Sequence, residues 1–155
     1  MASEIERKFL VKSKEWVSFK KPKPLFIKQA FVLQQDKKVL RARIKADKAF
    51  LTIKGKGSGV SRMEFEYEIP IEDAEEMISQ MSGPTIEKER FEIPFANHLW
   101  EVDVFYGENE GLIVAEIELL TETEFFEKPN WVGAEVSYDP RYFNSNLEHH
   151  PFNQW

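Results

Sequence analysis

Read with a period of two, much of this chain separates apolar from charged positions. Across the run from Ser3 to Lys12, Ile5, Arg7, Phe9 and Val11 share one face, and Glu4, Glu6 and Lys8 share the other. Val39 to Lys45 sets Arg41, Arg43 and Lys45 against Leu40, Ala42 and Ile44; Phe50 to Lys56 sets Thr52, Lys54 and Lys56 against Leu51 and Ile53. Arg62 to Ile69 sets Arg62, Glu64, Glu66 and Glu68 against Met63, Phe65, Tyr67 and Ile69. Such alternation predicts β-strands. Strand-like runs also cover Leu25 to Gln34, Ile86 to Pro94, Leu99 to Tyr106 and Leu112 to Leu120. Only Glu72 to Met81 changes period: Ile71, Ala74, Met77, Ile78 and Met81 fall at helical spacing, and Gly83-Pro84 stops the run. Pro22 and Pro24 among lysines read as a loop, the glycines at 55, 57 and 59 as a turn, and the tail from Glu122 as mixed. About eight strands and one clear helix predict a mainly β fold with minor α. Closing the antiparallel sheet into a barrel removes its edges.

Composition narrows the class. At 155 residues the chain is one domain by expectation, residues 1–155, large enough for a real core. A net charge of −6 argues against a sequence-independent nucleic-acid binder. The absence of cysteine removes disulfides, thiolate nucleophiles and cysteine zinc sites, and three histidines, two of them adjacent, make a poor metal cluster. Apolar runs are too short to span a bilayer and the N-terminus has no signal-peptide h-region, so the expectation is a soluble cytoplasmic protein with no membrane partner.

Charge is where the pattern becomes chemical. A single charged strand face is ordinarily solvated, with exposed pairs worth little. Here like signs recur strand by strand: Glu4/Glu6, Arg41/Arg43, Lys54/Lys56, Lys88/Arg90, Glu101/Asp103 and Glu116/Glu118. Turned into a barrel, these faces predict a polar tunnel with an acidic and a basic sector. Like charges repel strongly there unless neutralised. Carboxylates suit hard divalent cations such as Mg²⁺ or Mn²⁺, and arginines suit phosphate oxygens. Metal ions plus a polyanion satisfy both sectors. The apolar outer faces permit a homodimer.

The run EIERKFLV contains Glu4-x-Glu6-x-Lys8, which resembles the signature of the CYTH superfamily, the triphosphate tunnel metalloenzymes. Supporting matches follow in order: Arg41-x-Arg43, Thr52-Ile53-Lys54, Ser61-Arg62-x-Glu64, Glu87-Lys88-x-Arg90, Glu101-Val102-Asp103-Val104-Phe105, Glu116-x-Glu118, Glu135-Val136 and Arg141-Tyr142-x-Asn144. The resemblance implies a closed eight-stranded antiparallel β-barrel that binds a triphosphate with divalent cations. It implies Glu4, Glu6, Asp103, Glu116 and Glu118 as metal ligands, and Lys8, Arg41, Arg43, Lys54, Lys88 and Arg90 as phosphate-binding residues. Lys88 is in addition the candidate for orienting or deprotonating the attacking water. Arg62 and Glu64 belong to a matched motif without an assigned role; Lys45, Lys56 and Glu68 are expected at the mouths or in solvent, and Trp131 and Tyr142 in packing. Gln29-Ala30-Phe31 departs from the Gln-Gly-Tyr common among relatives. The activity implied is Mg²⁺- or Mn²⁺-dependent hydrolysis of a short triphosphate, with inorganic tripolyphosphate the leading substrate. Adenylate cyclase, thiamine triphosphatase, nucleoside triphosphatase and a non-catalytic polyphosphate-binding module stay open as alternatives.

Overall fold

The computed structural model describes residues 3–81 and 83–155. Nine strands form one sheet: β1 (Ser3–Val11), β2 (Leu25–Gln35), β3 (Lys38–Lys45), β4 (Lys48–Ser58), β5 (Ser61–Ile69), β6 (Ile86–Phe95), β7 (His98–Phe105), β8 (Ile113–Glu118) and β9 (Val132–Glu135). Their order is β5-β4-β3-β2-β6-β7-β8-β1-β9, and a further β1–β5 pairing closes the first eight into a ring. Every pairing is antiparallel.

Closure depends on β1 dividing one of its edges. Ser3–Ile5 pairs with β5, whereas Phe9 and Val11 pair with β9; the opposite edge, Glu6–Leu10, holds β8. The short β9, hidden in the sequence by its length and its glycine, exists because the C-terminal half of β1 would otherwise carry unpaired backbone groups. Arg7 fastens it through a two-point contact with Glu135 at 2.7 and 2.5 Å.

Two-residue turns set the hairpin registers. Asp36-Lys37 and Ala96-Asn97 take positive φ at both positions, the geometry that matches strand twist. Of the three glycines expected to mark a turn, only Gly59 does so; Gly55 and Gly57 lie inside β4. Gly57 sits at a register shift where a Cβ would come within 2.6 Å of the Ser61 carbonyl oxygen, so a larger residue would force the strands apart.

The wall is covered unevenly. Outside β1, β6, β7 and β8, a core of Phe9, Trp100, Trp131, Ile117 and Val102 is capped by Trp16 of α1 (Ser13–Ser18). Six residues with two apolar positions show no period, which is why α1 was invisible in the sequence pattern. The expected helix is α2 (Ile71–Glu76), which continues as a π-helical turn, Met77–Met81. It covers Ala30 and Ala42 through Ile78 and Met77. A last helical turn, α3 (Asn144–Leu147), buries Leu147 against Ile86, Phe105, Leu112 and Val114. No helix among the described residues is long and apolar enough to cross a membrane.

Candidate active site

Alternation along the ring strands sends the charged faces inward, around a cavity of ≈ 330 Å³. Seven carboxylates line it (Glu4, Glu6, Glu64, Glu66, Glu101, Glu116, Glu118) against five cations (Arg41, Arg43, Lys45, Lys54, Arg90). They segregate by strand. The contiguous strands β7, β8, β1 and β5 supply the acidic arc, and β4, β3 and β6 supply the basic one, with β2 lying between β3 and β6.

Beneath the lining lies a fully buried layer. Arg90 grips Asp103 with a fork, Nε to Oδ1 at 2.7 Å and Nη2 to Oδ2 at 2.9 Å, and Lys88 Nζ lies 2.8 Å from Oδ2. Burial alone would raise the Asp103 carboxyl; Arg90 and Lys88 overcome it and hold the group below the usual carboxylate range. Burial pushes Lys88 down to about 7, against the pull of Asp103 and with the repulsion of Arg90 and Arg43. Its Nζ also stands 3.4 Å from Oδ1 of Asn144, a cavity-lining residue delivered by the N-terminal end of α3. Lys8 donates to Glu116 at 2.9 Å and lies 3.6 Å from Glu6; burial opposes its charge, but these carboxylates raise its pKa.

The basic arc holds cations without full partners. Arg43 makes no ion pair among the described residues and donates Nε to Gln29 Oε1 at 3.0 Å. Burial, with Arg41 and Arg90 nearby, lowers its pKa to about 9. Arg41 bonds Thr52 at 3.2 Å, while its buried Nε has no acceptor among the described residues. A phosphate oxygen is the acceptor that such donors call for. The acidic arc has the opposite need: burial and then Glu4, Glu64, Glu6 and Glu101 raise Glu118. An all-oxygen, net acidic donor set fits a hard divalent cation. Among the described residues no three acidic or histidine side chains enclose an ion by themselves. Mg²⁺-like ions need no such cage, because one or two carboxylates plus phosphate oxygens and water suffice.

A family model, the CYTH domain, matches residues 2–148. The chain belongs to the CYTH domain family. This CYTH chain is 45% identical over 153 residues to an inorganic triphosphatase of Acetivibrio thermocellus, covering 98% of this chain and 97% of the relative. It is 33% identical over 151 residues to an inorganic triphosphatase of Nitrosomonas europaea, with 94% and 96% covered. The crystal structure of an inorganic triphosphatase matches with a TM-score of 0.66 at 31% identity, covering 96% of this chain and 95% of that one.

Of the residues expected in the CYTH site, Glu4, Glu6, Glu116, Glu118, Arg41, Arg43, Lys54 and Arg90 meet in the cavity lining. Lys8, Lys88 and Asp103 stand behind it as the buried layer, and both Asp103 oxygens are engaged by cations. Lys45, expected at a mouth or in solvent, lines the cavity and pairs with Glu92 at 2.9 Å. Lys56 and Glu68 are exposed, and Trp131 is core. Sequence reasoning left out Glu101, Glu66 and Asn144. Glu101 and Glu66 carried a usable signal, since each continues a same-face charge series; Asn144 ended the matched run Arg141-Tyr142-x-Asn144 without an assigned role, and only the packing of α3 brings it to Lys88.

Proposed function

We propose that this chain is a divalent-metal-dependent hydrolase of the terminal phosphoanhydride of inorganic tripolyphosphate, with Mg²⁺ or Mn²⁺ as cofactor. One observation carries the choice of substrate. The cavity is near the small end of the roughly 300–1,000 Å³ typical of ligand sites, and among the described residues its lining contains no aromatic or aliphatic side chain. Phosphate oxygens find donors there, whereas a nucleobase or thiamine ring finds nothing to stack on. The inorganic triphosphatases at 45% and 33% identity support the same reading.

Arg41, Arg43, Lys54 and Arg90 bind and align the phosphate chain, which fixes the terminal phosphorus for in-line attack. Glu4, Glu6, Glu116 and Glu118 would hold the divalent ion, which when bound would supply neutralisation of phosphate and leaving-group charge. Lys8 fixes Glu116, and Asp103 orients Arg90 and Lys88 rather than facing the cavity. Water oxygen attacks the terminal phosphorus, its proton passes to that fraction of Lys88 which is neutral and released from Asp103, and pyrophosphate leaves with the electrons of the broken P–O bond. A pKa near 7 makes Lys88 a usable proton acceptor at neutral pH. The test is steady-state phosphate release from tripolyphosphate and ATP with each metal. Tripolyphosphate should lead in kcat/KM by at least about tenfold, equivalent to roughly 1.4 kcal/mol. ATP turned over equally well, or cyclic AMP among the products, would overturn this assignment.

A further inference from the structure

Gln29, from the run Gln29-Ala30-Phe31, is fully buried on β2 and lies directly opposite Arg43 of β3. Its Oε1 accepts from Arg43 Nε at 3.0 Å. A guanidinium only donates, so the amide can meet it only with its oxygen, and the amide NH₂ must turn away. That NH₂ has no acceptor among the described residues. The other cations of the lining are held differently. Arg41 stands 3.9 Å from Glu66, Lys45 2.9 Å from Glu92, Lys54 2.8 Å from Glu4 and Arg90 2.8 Å from Glu101. A carboxylate partly cancels each of these charges before any ligand arrives. Arg43 is anchored by a neutral group instead, and beyond that bond it has no hydrogen-bond or ion-pair partner among the described residues. Fold stability alone would favour the opposite choice. Gln29→Glu would remove the unmet NH₂, give Arg43 a charge-assisted bond and damp its repulsion by Arg41 and Arg90.

We propose that Gln29 is a positioning residue that fixes the Arg43 guanidinium for the triphosphate while leaving its positive charge uncancelled, an inference that rests on reading the basic arc as the phosphate-binding side. The bond to Nε fixes the guanidinium plane, and the Nη1–Nη2 edge is left to meet two oxygens of one phosphate group. A carboxylate at this position would fix the plane as well, but it would put a negative charge behind the guanidinium, roughly 7 Å from that phosphate. Like charges at that separation, with an effective dielectric of about 20, lower affinity roughly fiftyfold. An apolar side chain would spare the charge and lose the fixed plane. Position 29 therefore needs a neutral acceptor, and the unmet NH₂ comes with it.

Calorimetric titration of the full chain with imidotriphosphate and Mg²⁺ tests the proposal, since this analogue binds without being hydrolysed. Gln29→Glu should raise Kd at least about tenfold, while the melting temperature of the ligand-free protein stays level or rises. A packing role would move both the same way. Gln29→Met keeps the size and charge but removes the acceptor, and carries the test should Gln29→Glu fail to fold. It should also weaken binding, and the loss should vanish when the same change is made in an Arg43→Ala background, because Gln29 acts through Arg43. Binding by folded Gln29→Glu within about twofold of wild type overturns the proposal, as does weaker binding coupled to a lower melting temperature. So does a Gln29→Met loss that is equally large without Arg43, or a wild type that binds no analogue. Tripolyphosphate turnover by the wild type is measured alongside: its absence with intact binding would overturn the substrate assignment, and the affinity ratios would still decide the role of Gln29.

Discussion

Removal of the divalent ion should abolish most of the tunnel's affinity for a triphosphate, even though the basic arc is intact. With seven lining carboxylates and five lining cations, the cavity carries a net negative charge, so a polyanion entering alone meets unscreened carboxylates opposite the arginines. Two like charges about 5 Å apart cost roughly 3 kcal/mol at an effective dielectric of about 20, and a single uncompensated contact of that kind lowers affinity by more than about a hundredfold. With metal present and ligand at about one hundred times Kd, binding stabilises the fold by about 2.7 kcal/mol, and a domain of this size gains about 2–4 °C of Tm per kcal/mol, or roughly 5–11 °C. The same ligand concentration without metal would sit near its Kd, worth only about 0.4 kcal/mol and roughly 1–2 °C. The assay is thermal unfolding followed by the fluorescence of the four tryptophans. Imidotriphosphate, whose P–N–P bridges resist hydrolysis, would be added with Mg²⁺, with Mn²⁺ and with EDTA, and each metal would be run alone as a control. Equal shifts in EDTA and in metal would refute the argument, and would mean that the basic arc binds phosphate without help from the acidic one.

Three further outcomes concern Asn144 and Glu148 near the C-terminus. Asn144→Ala should lower kcat by about tenfold with little change in KM, since Asn144 positions Lys88 at the reacting end. Asn144→Asp should raise the Lys88 pKa and move the acid limb of the rate profile upward by about one pH unit or more; an unmoved limb would separate Lys88 from proton transfer. Burial raises Glu148 from an ordinary 4.5 to about 7, against the hydrogen bond that Phe31 N–H donates to it. The folded state therefore holds this proton more tightly than the unfolded one. That stabilisation is complete below about pH 4.5 and is lost as pH rises through 7. Glu148→Gln keeps an acceptor for Phe31 but does not titrate, so relative to wild type it should be more stable at pH 8 than at pH 4.5 by about 1–3 kcal/mol. A wild-type-to-variant difference in urea unfolding that is equal at both pH values would refute it.

The sequence by itself determined which side of each ring strand meets the cavity. A side-chain period of two leaves no freedom once one face is apolar and the other charged, so Glu4 and Glu6, Arg41 and Arg43, and Glu116 and Glu118 were legible as lining pairs. It also determined the eight ring strands, the helical segment before Gly83-Pro84, and the family, because the charged motifs come in order along almost the whole chain. Only the tertiary structure decided what depends on neighbours distant in sequence. The division of acidic from basic arcs follows from strand order, and strand order comes from which edges pair. Asp103 and Glu101 sit two residues apart on the same face, yet Asp103 is enclosed by Arg90 and Lys88 while Glu101 lines the cavity. The difference is depth along the tunnel, which no local pattern records. α1 and β9 are too short to stand alone and form because Trp131 and the free edge of β1 give them something to bury or to pair with. Asn144 reaches Lys88 across fifty-six positions of chain, and nothing near either residue announces the contact.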